Sequence, residues 1–273
     1  MSYAFGSARK LYTARCHPRL HLSAADLEGL RRKTRSGWGQ KILDALRRKV
    51  GLYVRTVEGI EDMAEALGPN SRKANAHGVF ANLPDLALVG VLDRDPRIVN
   101  AVRRILNAIP ETDRRQGRDR LSYAYGGGVT VSVAYDLVHA EMEPSERAEL
   151  THWLYTKCVR ETLDTLRNGN YLRHPAANIP MYGMISAHLA VLAIEGDPGV
   201  PDLSAEKAEL LLFLEASLRT MFGPEGYTEE DIGYGTSMAC LISFVAEPAR
   251  RAGLFDAYQE CPGYTRFGRA LSV

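Results

Sequence analysis

Apolar and polar positions divide this chain into two kinds of segment. Some segments are apolar on nearly every side, as buried helices and central strands are. They are LPDLALVGVL (83–92), VTVSVAYDLV (129–138), MYGMISAHLAVLAI (181–194) and TSMACLISFVA (236–246). Amphipathic segments lie between them, and the two kinds take turns at a spacing of about 45–55 residues, which is typical of helical repeats.

The amphipathic segments begin with residues that favour helix starts. Ser23, followed by Asp26 three positions later, has the pattern of a capping box. Asp95 is expected to cap a second helix, whose first turn contains Pro96. Apolar residues then follow at helical spacing, at Ile98, Val102, Ile105, Leu106 and Ile109.

The same alternation would also fit parallel strands joined by crossover helices. VTVSV (129–133) taken alone alternates like a strand. Buried strands usually run about 4–8 residues, however, and the apolar segment 181–194 is longer than that. We therefore predict an all-α fold of helical hairpins, each with a buried inner helix and a half-exposed outer helix.

A polar segment precedes each apolar segment. These segments contain His77; Tyr125; Arg173, His174 and Asn178; and Tyr227, Glu229 and Tyr234. If the inner helices run parallel around a ring, all of these segments meet in one cleft. The positive ends of the helix dipoles would point into that cleft and favour an anionic ligand.

These residue types suit a polyanionic sugar. Tyrosine offers a flat apolar face and a hydroxyl, asparagine hydrogen-bonds a carboxylate without adding charge, and arginine pairs with it bidentately. β-Elimination from a uronic acid polymer needs a base for the C5 proton, neutralisation of the adjacent carboxylate and a proton for the leaving oxygen. Tyrosine serves as base or acid if neighbouring groups lower its pKa from about 10.

The amino-acid composition limits the classes of partner that we expect. The chain has 273 residues, 45% hydrophobic and 25% charged, as in a soluble globular protein, and its net charge of +1 gives no reason to expect nucleic acid or an anionic membrane. The start of the chain lacks the apolar core of a signal peptide, so we expect a cytoplasmic protein. A trimmed signal would leave the same appearance in a secreted or periplasmic protein.

No metal or cofactor is expected from the sequence. The four cysteines form no CxxC pair, and YGGGV (125–129) lacks the spacing of a phosphate-binding loop. The remaining histidines show no ligand spacing and are expected to be structural; they are His17, His21, His139, His152 and His188.

Several stretches, in order and spacing, resemble the heparinase II/III-like polysaccharide lyases and related alginate lyases across nearly the whole chain. They are HPRLHLSAADLEGLRRK (17–33), LALVGVLDRDPRIVNAVRRIL (86–106), VSVAYDLV (131–138), NIPMYGMISAHLAVLAIEGD (178–197) and FGPEGYTEEDIGYGTS (222–237). The resemblance implies a single (α/α) toroid domain, an incomplete α/α barrel, over residues 1–273. It also implies an acidic polysaccharide or oligosaccharide as substrate.

The resemblance also implies residue roles. Tyr234 matches the catalytic tyrosine, and Asn178 or His174 matches the group that neutralises the carboxylate. The pair His174 and Tyr227 fits the family's spacing as well. Substrate contacts are then expected from Arg173, Tyr227, Glu229, His77 and Tyr125. The family's β-sandwich domains have no counterpart here, so we expect a fragment, a diverged relative, or a subunit that needs another chain or domain.

Two other functions fit the same residues. A glycoside hydrolase would use two of Glu229, Glu230 and Asp231, or one of them with Asp136, as acid and base. A non-catalytic helical-repeat module would only bind a glycan or a protein. Structural roles are also open: Tyr234 as a buried tyrosine, Asn178 as a helix cap before Pro180, and the three acids as caps of the last inner helix.

Overall fold

The structure is a computed structural model, and it describes residues 16–68, 76–116, 127–169, 177–228 and 232–270. These residues are helical apart from their turns and connections. The only extended pairing within them is an isolated antiparallel bridge between Phe222 and Thr228. The predicted all-α class is therefore confirmed.

The α-helices of the described residues are as follows in chain order. They are α1 (Ala24–Lys33), α2 (Gly37–Glu58), α3 (Met63–Leu67), α4 (Ala76–Ala81), α5 (Leu83–Asp93), α6 (Pro96–Gln116), α7 (Gly127–Val138), α8 (Pro144–Trp153), α9 (Thr162–Asn168), α10 (Asn178–Ile194), α11 (Ser204–Met221), α12 (Ile232–Arg251), α13 (Ala257–Glu260) and α14 (Pro262–Ala270). A 3₁₀ turn (His139–Glu141) follows α7, and a π-helical segment (Leu154–Glu161) joins α8 to α9.

The helix starts follow from the capping chemistry that the sequence predicts. Ser23 and Asp26 form the complete capping box of α1. Asp95 accepts a hydrogen bond of 2.9 Å from the backbone N–H of Arg97, so its side chain caps α6, and Pro96 is the first residue of that helix. The predicted apolar face of α6 is buried at Val102, Ile105, Leu106 and Ile109.

The apolar segments form the inner helices α5, α7, α10 and α12. α5 packs against α7, α7 against α10, and α10 against α12. Every residue of α10 from Gly183 to Ile194 is buried, and the strand-like VTVSV lies within helix α7. The helices α2 and α6 cover α5, whereas α11 and the π-helical segment cover α10. None of the described helices combines the length and apolar character needed to cross a bilayer.

The segment from residue 16 to the end of α1, which we call the N-terminal segment, connects α12 with α5. Asp26 of α1 pairs with Arg251 of α12 at 2.9 Å. At the other end of α1, Arg31 donates hydrogen bonds to the carbonyl oxygens of Val91 and Leu92 in α5. These contacts tie α1 to the first and last of the inner helices.

Candidate functional site

Two tyrosine side chains of the predicted site, Tyr227 and Tyr234, are exposed. Tyr234 lies in the first turn of α12 and is 54% exposed, and Tyr227, in the preceding loop, is 77% exposed. The alternative in which Tyr234 is a buried structural tyrosine is therefore wrong. Both rings are accessible to a ligand from solution.

Asn178 occupies the start of the neighbouring helix. It is the first residue of α10 and is half-buried, whereas the N-cap position is taken by Ala177, with no side-chain capping bond. The alternative in which Asn178 is the cap is therefore wrong. Because α10 and α12 pack against each other, Asn178 and Tyr234 occupy the first turns of two adjacent helices.

Other predicted site residues lie outside the described part of the chain. These are Tyr125, Arg173, His174 and Glu229, together with the alternative acids Glu230 and Asp231. His77 belongs to α4, but its side chain is also outside the described residues. Their roles stay predictions.

The loop that carries Tyr227 is a tight turn. The backbone N–H of Gly223 donates to the carbonyl oxygen of Tyr227 at 2.8 Å, and the N–H of Gly226 donates to the carbonyl oxygen of Gly223 at 2.8 Å. Gly226 has a φ of 88°, a conformation that glycine adopts without steric cost. The bridge between Phe222 and Thr228 closes the turn.

Glycines also let this loop approach its neighbours closely. A Cβ on Gly226 would lie 2.8 Å from the backbone carbon of Arg266 in α14, and one on Gly263 would lie 2.3 Å from the carbonyl oxygen of Gly223. A Cβ on Gly235 of α12 would lie 2.5 Å from the Thr228 side chain. The loop is thus packed against α12 and α14, so the backbone that presents Tyr227 and the start of α12 is well supported.

Replacing Gly226 with alanine tests this packing. We expect the free energy of unfolding to fall by about 2–3 kcal/mol, because the substitution adds a backbone clash to the cost of a left-handed conformation. Gly199→Ala is the matched control: its φ is 82°, but nothing lies within 4 Å of an added Cβ. Its loss should be about 1–2 kcal/mol. Equal losses in urea denaturation would contradict the close packing of the loop.

A second group of polar side chains lies at the other ends of α7 and α10. We call it the His17 cluster, and its members are His17, Arg19, Tyr135, Asp136, His139 and Asp197. Asp136 lies in the last turn of α7, and Asp197 follows the end of α10. The length of α10, about 25 Å at 1.5 Å per residue, separates this cluster from Asn178.

Asp136 anchors the N-terminal segment to α7. One carboxylate oxygen lies 2.7 Å from His17 Nδ1 and accepts a hydrogen bond from the backbone N–H of Arg19 at 2.9 Å. The other oxygen accepts from the N–H of Leu20 at 2.9 Å. Asp136 is only 2% exposed, so these bonds form away from water and satisfy donors that would otherwise be buried unpaired.

Asp197 connects the same segment to the loop after α10. Its Oδ1 atom lies 3.1 Å from His17 Nε2 and 3.4 Å from the Arg19 guanidinium. Its Oδ2 atom accepts a hydrogen bond of 2.5 Å from the Tyr135 hydroxyl and lies 4.0 Å from His139 Nε2. The His139 ring stacks on His17 with centroids 3.8 Å apart and a 12° interplanar angle.

Contacts within the cluster shift the pKa values of His17, His139 and Asp197 in different directions. Burial lowers the pKa of His17, but hydrogen bonds to Asp136 and Asp197 outweigh it and raise that pKa above 6.5. Burial raises the pKa of Asp197, but hydrogen bonds from His17 and Tyr135 bring it below its usual value. Burial, followed by repulsion from His17, lowers the pKa of His139 to about 4. At neutral pH Asp197 is therefore ionised and His139 is neutral.

His17 and His139, which show no ligand spacing along the sequence, lie against each other in the fold. Ligand atoms of His17, His139 and Asp197 all lie within 4.8 Å of one another. Their spacing is invisible in the sequence because separate chain segments supply them. The HPRL and AYD motifs include most of the cluster, but nothing in one sequence indicates that the two motifs meet.

A cavity of about 260 Å³ lies between α5, α7 and α12, beside Asp136. Its lining is largely apolar, and its other polar groups already have partners within the protein. His21 bonds to the carbonyl of Phe244, Asp85 pairs with Lys49, and the Ser243 hydroxyl donates to a backbone carbonyl. The cavity therefore offers few free groups for recognising a polar ligand.

No protein-family model matches this chain, and no curated protein matches it significantly. The functional assignment therefore depends on the chemistry and placement of the residues described above.

Proposed function

We propose that this protein is a polysaccharide lyase-type domain that cleaves an acidic, uronate-containing glycan by β-elimination. The observation that carries the proposal is the exposed Tyr234 in the first turn of α12, beside α10, which begins at Asn178. Tyrosine and asparagine in the first turns of two helices that pack against each other match the base or acid and the carboxylate-binding group that this reaction requires.

The proposal includes an (α/α) toroid. Its support is the succession of contacts from α5 through α7 and α10 to α12, together with the contacts of α1 with both α12 and α5. Outer helices separate the inner helices along the chain, which favours a common direction for the inner helices. Their N-termini would then share one end of the ring, and their dipoles would attract the glycan's carboxylates.

In the proposed reaction, the uronate carboxylate lies at the N-terminus of α10. The Asn178 amide, with His174 as the predicted partner, hydrogen-bonds the carboxylate and stabilises the charge that builds up as the C5 proton leaves. Tyr234 takes that proton, and the leaving oxygen receives a proton from Tyr234 or from water. The electron pair of the C5–H bond forms the C4–C5 double bond, and the C4–O bond breaks.

Product analysis tests the proposal. We expect purified protein to release an unsaturated uronate, which absorbs in the ultraviolet, from at least one of alginate, heparan sulfate, chondroitin and hyaluronan. Tyr234→Phe should lower this rate by about 100-fold or more, since it removes the proton-transfer group. The control is Tyr258→Phe in α13, which removes a hydroxyl from another exposed tyrosine and should keep the parent rate.

Other outcomes would contradict the proposal. New reducing ends without the double bond would indicate a glycoside hydrolase, and glycan binding without any product would indicate a binding module. Equal rates for Tyr234→Phe and the parent, with a large loss in Tyr227→Phe, would move the catalytic role to Tyr227. Circular dichroism of each variant should match the parent, since both rings are exposed.

A further inference from the structure

We propose that the His17 cluster binds a divalent transition-metal ion of the zinc type through His17, His139 and Asp197. The proposal is independent of the lyase proposal, because the cluster lies at the opposite end of α10 from Asn178. The sequence predicts no metal, and nothing in its motifs indicates this combination of residues.

The ligand set is chemically suited to such an ion. Two imidazole nitrogens and one carboxylate oxygen are ligands that Zn²⁺ accepts, often with water in the remaining position. Bond lengths of about 2.0–2.2 Å in a tetrahedral site place ligand atoms about 3.4 Å apart. Asp197 Oδ1 is already 3.1 Å from His17 Nε2, and Asp197 Oδ2 is 4.0 Å from His139 Nε2.

His139 has to turn for all the ligand atoms to converge, because its ring is parallel to the His17 ring. It lies in the 3₁₀ turn after α7, and its side chain is 20% exposed, so the ring is partly accessible from solvent. An imidazole binds a metal ion through the lone pair of its unprotonated nitrogen. His139 therefore supplies both a lone pair and a path for the ion from solvent.

The surroundings of His17 and Asp197 resemble the outer support of a metal site. Metal-binding histidines usually donate their other ring N–H to a carboxylate, which fixes the tautomer and orients the ring. His17 Nδ1 lies 2.7 Å from Asp136, so Nε2 is directed towards Asp197, and the ion would replace the proton between Nε2 and that carboxylate, which leaves to solvent. The Tyr135 hydroxyl holds the Asp197 carboxylate in turn. These contacts preorganise two of the three ligands.

The ion would have a structural role. It would join the N-terminal segment to α7 and to the loop after α10, and it would bind only when these parts are folded together. A ligand that binds only the folded state raises its stability in proportion to the logarithm of ligand concentration. Zn²⁺ should therefore raise the thermal midpoint.

Calorimetric titration of chelator-stripped full chain with Zn²⁺ tests the proposal. We expect saturable binding of one ion per chain, and His139→Ala should weaken it by at least tenfold. This variant should fold, because His139 is partly exposed. The matched control is His152→Ala, which removes an exposed histidine from α8 and should bind as the parent does. Cobalt substitution should give visible absorption bands in the parent and the control only.

Two results would overturn the proposal. One is the absence of saturable Zn²⁺ binding, which would leave the cluster as a hydrogen-bonded clamp. The other is equal affinity in His139→Ala and the parent. Cys16→Ser tests for adventitious binding at the exposed thiol beside His17 and should keep the parent affinity. If Cys16→Ser abolishes binding and His139→Ala does not, the ion is at the thiol and the proposal fails.

Discussion

Replacing Asp136 with alanine is expected to lower the free energy of unfolding by about 3–5 kcal/mol, the range for removing one partner of a buried charged network. The carboxylate accepts hydrogen bonds from the backbone N–H groups of Arg19 and Leu20 and lies beside His17. Alanine leaves the two backbone N–H groups buried without this acceptor, and it removes one of the two carboxylates that His17 contacts. No other single carboxylate among the described residues holds so much of the N-terminal segment.

Urea denaturation of metal-stripped protein measures this effect. Asp164→Ala is the control, because Asp164 pairs with Arg167 on the exposed face of α9 and should contribute less than about 1 kcal/mol. Asp136→Asn keeps the shape and part of the acceptor capacity, so its loss should lie between the two. Limited proteolysis should cut the N-terminal segment of Asp136→Ala faster than that of the parent. A loss no larger than that of Asp164→Ala would contradict the anchoring role.

The helices were predictable from the sequence because local chemistry determines them. Ser23 with Asp26, and Asp95 before Pro96, satisfy the free N–H groups of their own helix starts. The length of the apolar segment 181–194 excluded a strand, and every residue of α10 from Gly183 onwards is buried as that pattern requires. Each of these signals involves residues that are close together in the sequence, so a single sequence is enough to recognise them.

The His17 cluster was not predictable in this way. His17, Asp136 and Asp197 are neighbours only because α7 and α10 end at the same level and the N-terminal segment crosses both ends. The glycines around Tyr227 are similar, since Gly263 contacts the loop only after α14 has packed against it. Both arrangements depend on contacts between distant segments, whereas the polar residues before α10 and α12 were predicted from their own sequence.

His188 is the other buried group with a large expected effect. It lies in the middle of α10, is fully buried, and neither ring nitrogen has a hydrogen-bond partner among the described residues. Burial, with a smaller contribution from Lys207, lowers its pKa from 6.5 to about 4. The folded protein therefore holds a neutral imidazole in an apolar helix, and protonating it requires burying an unpaired charge.

This shift predicts a loss of stability in acid. Between pH 6.5 and pH 4 the unfolded chain binds the proton at His188 more readily than the folded chain does. The free energy of unfolding is therefore unaffected by His188 protonation above pH 6.5. It falls by up to about 3 kcal/mol as the pH drops from 6.5 towards 4. His188→Met removes this titration and also removes the unpaired nitrogens, so it should raise stability at pH 7 by about 1–3 kcal/mol.

Urea denaturation at pH 7 and at pH 4.5 separates these two effects. The stability advantage of His188→Met over the parent should be larger at pH 4.5 than at pH 7. At the lower pH, protonation of His188 stabilises the unfolded state of the parent, and the variant has no such group. Other groups that titrate in this range, including His139, are common to both proteins and cancel in the difference. His152→Met, at an exposed position of α8, is the matched control and should lack the large advantage of His188→Met. If the two pH values give the same advantage, His188 titrates alike in both states, which would contradict a neutral imidazole held in an apolar helix.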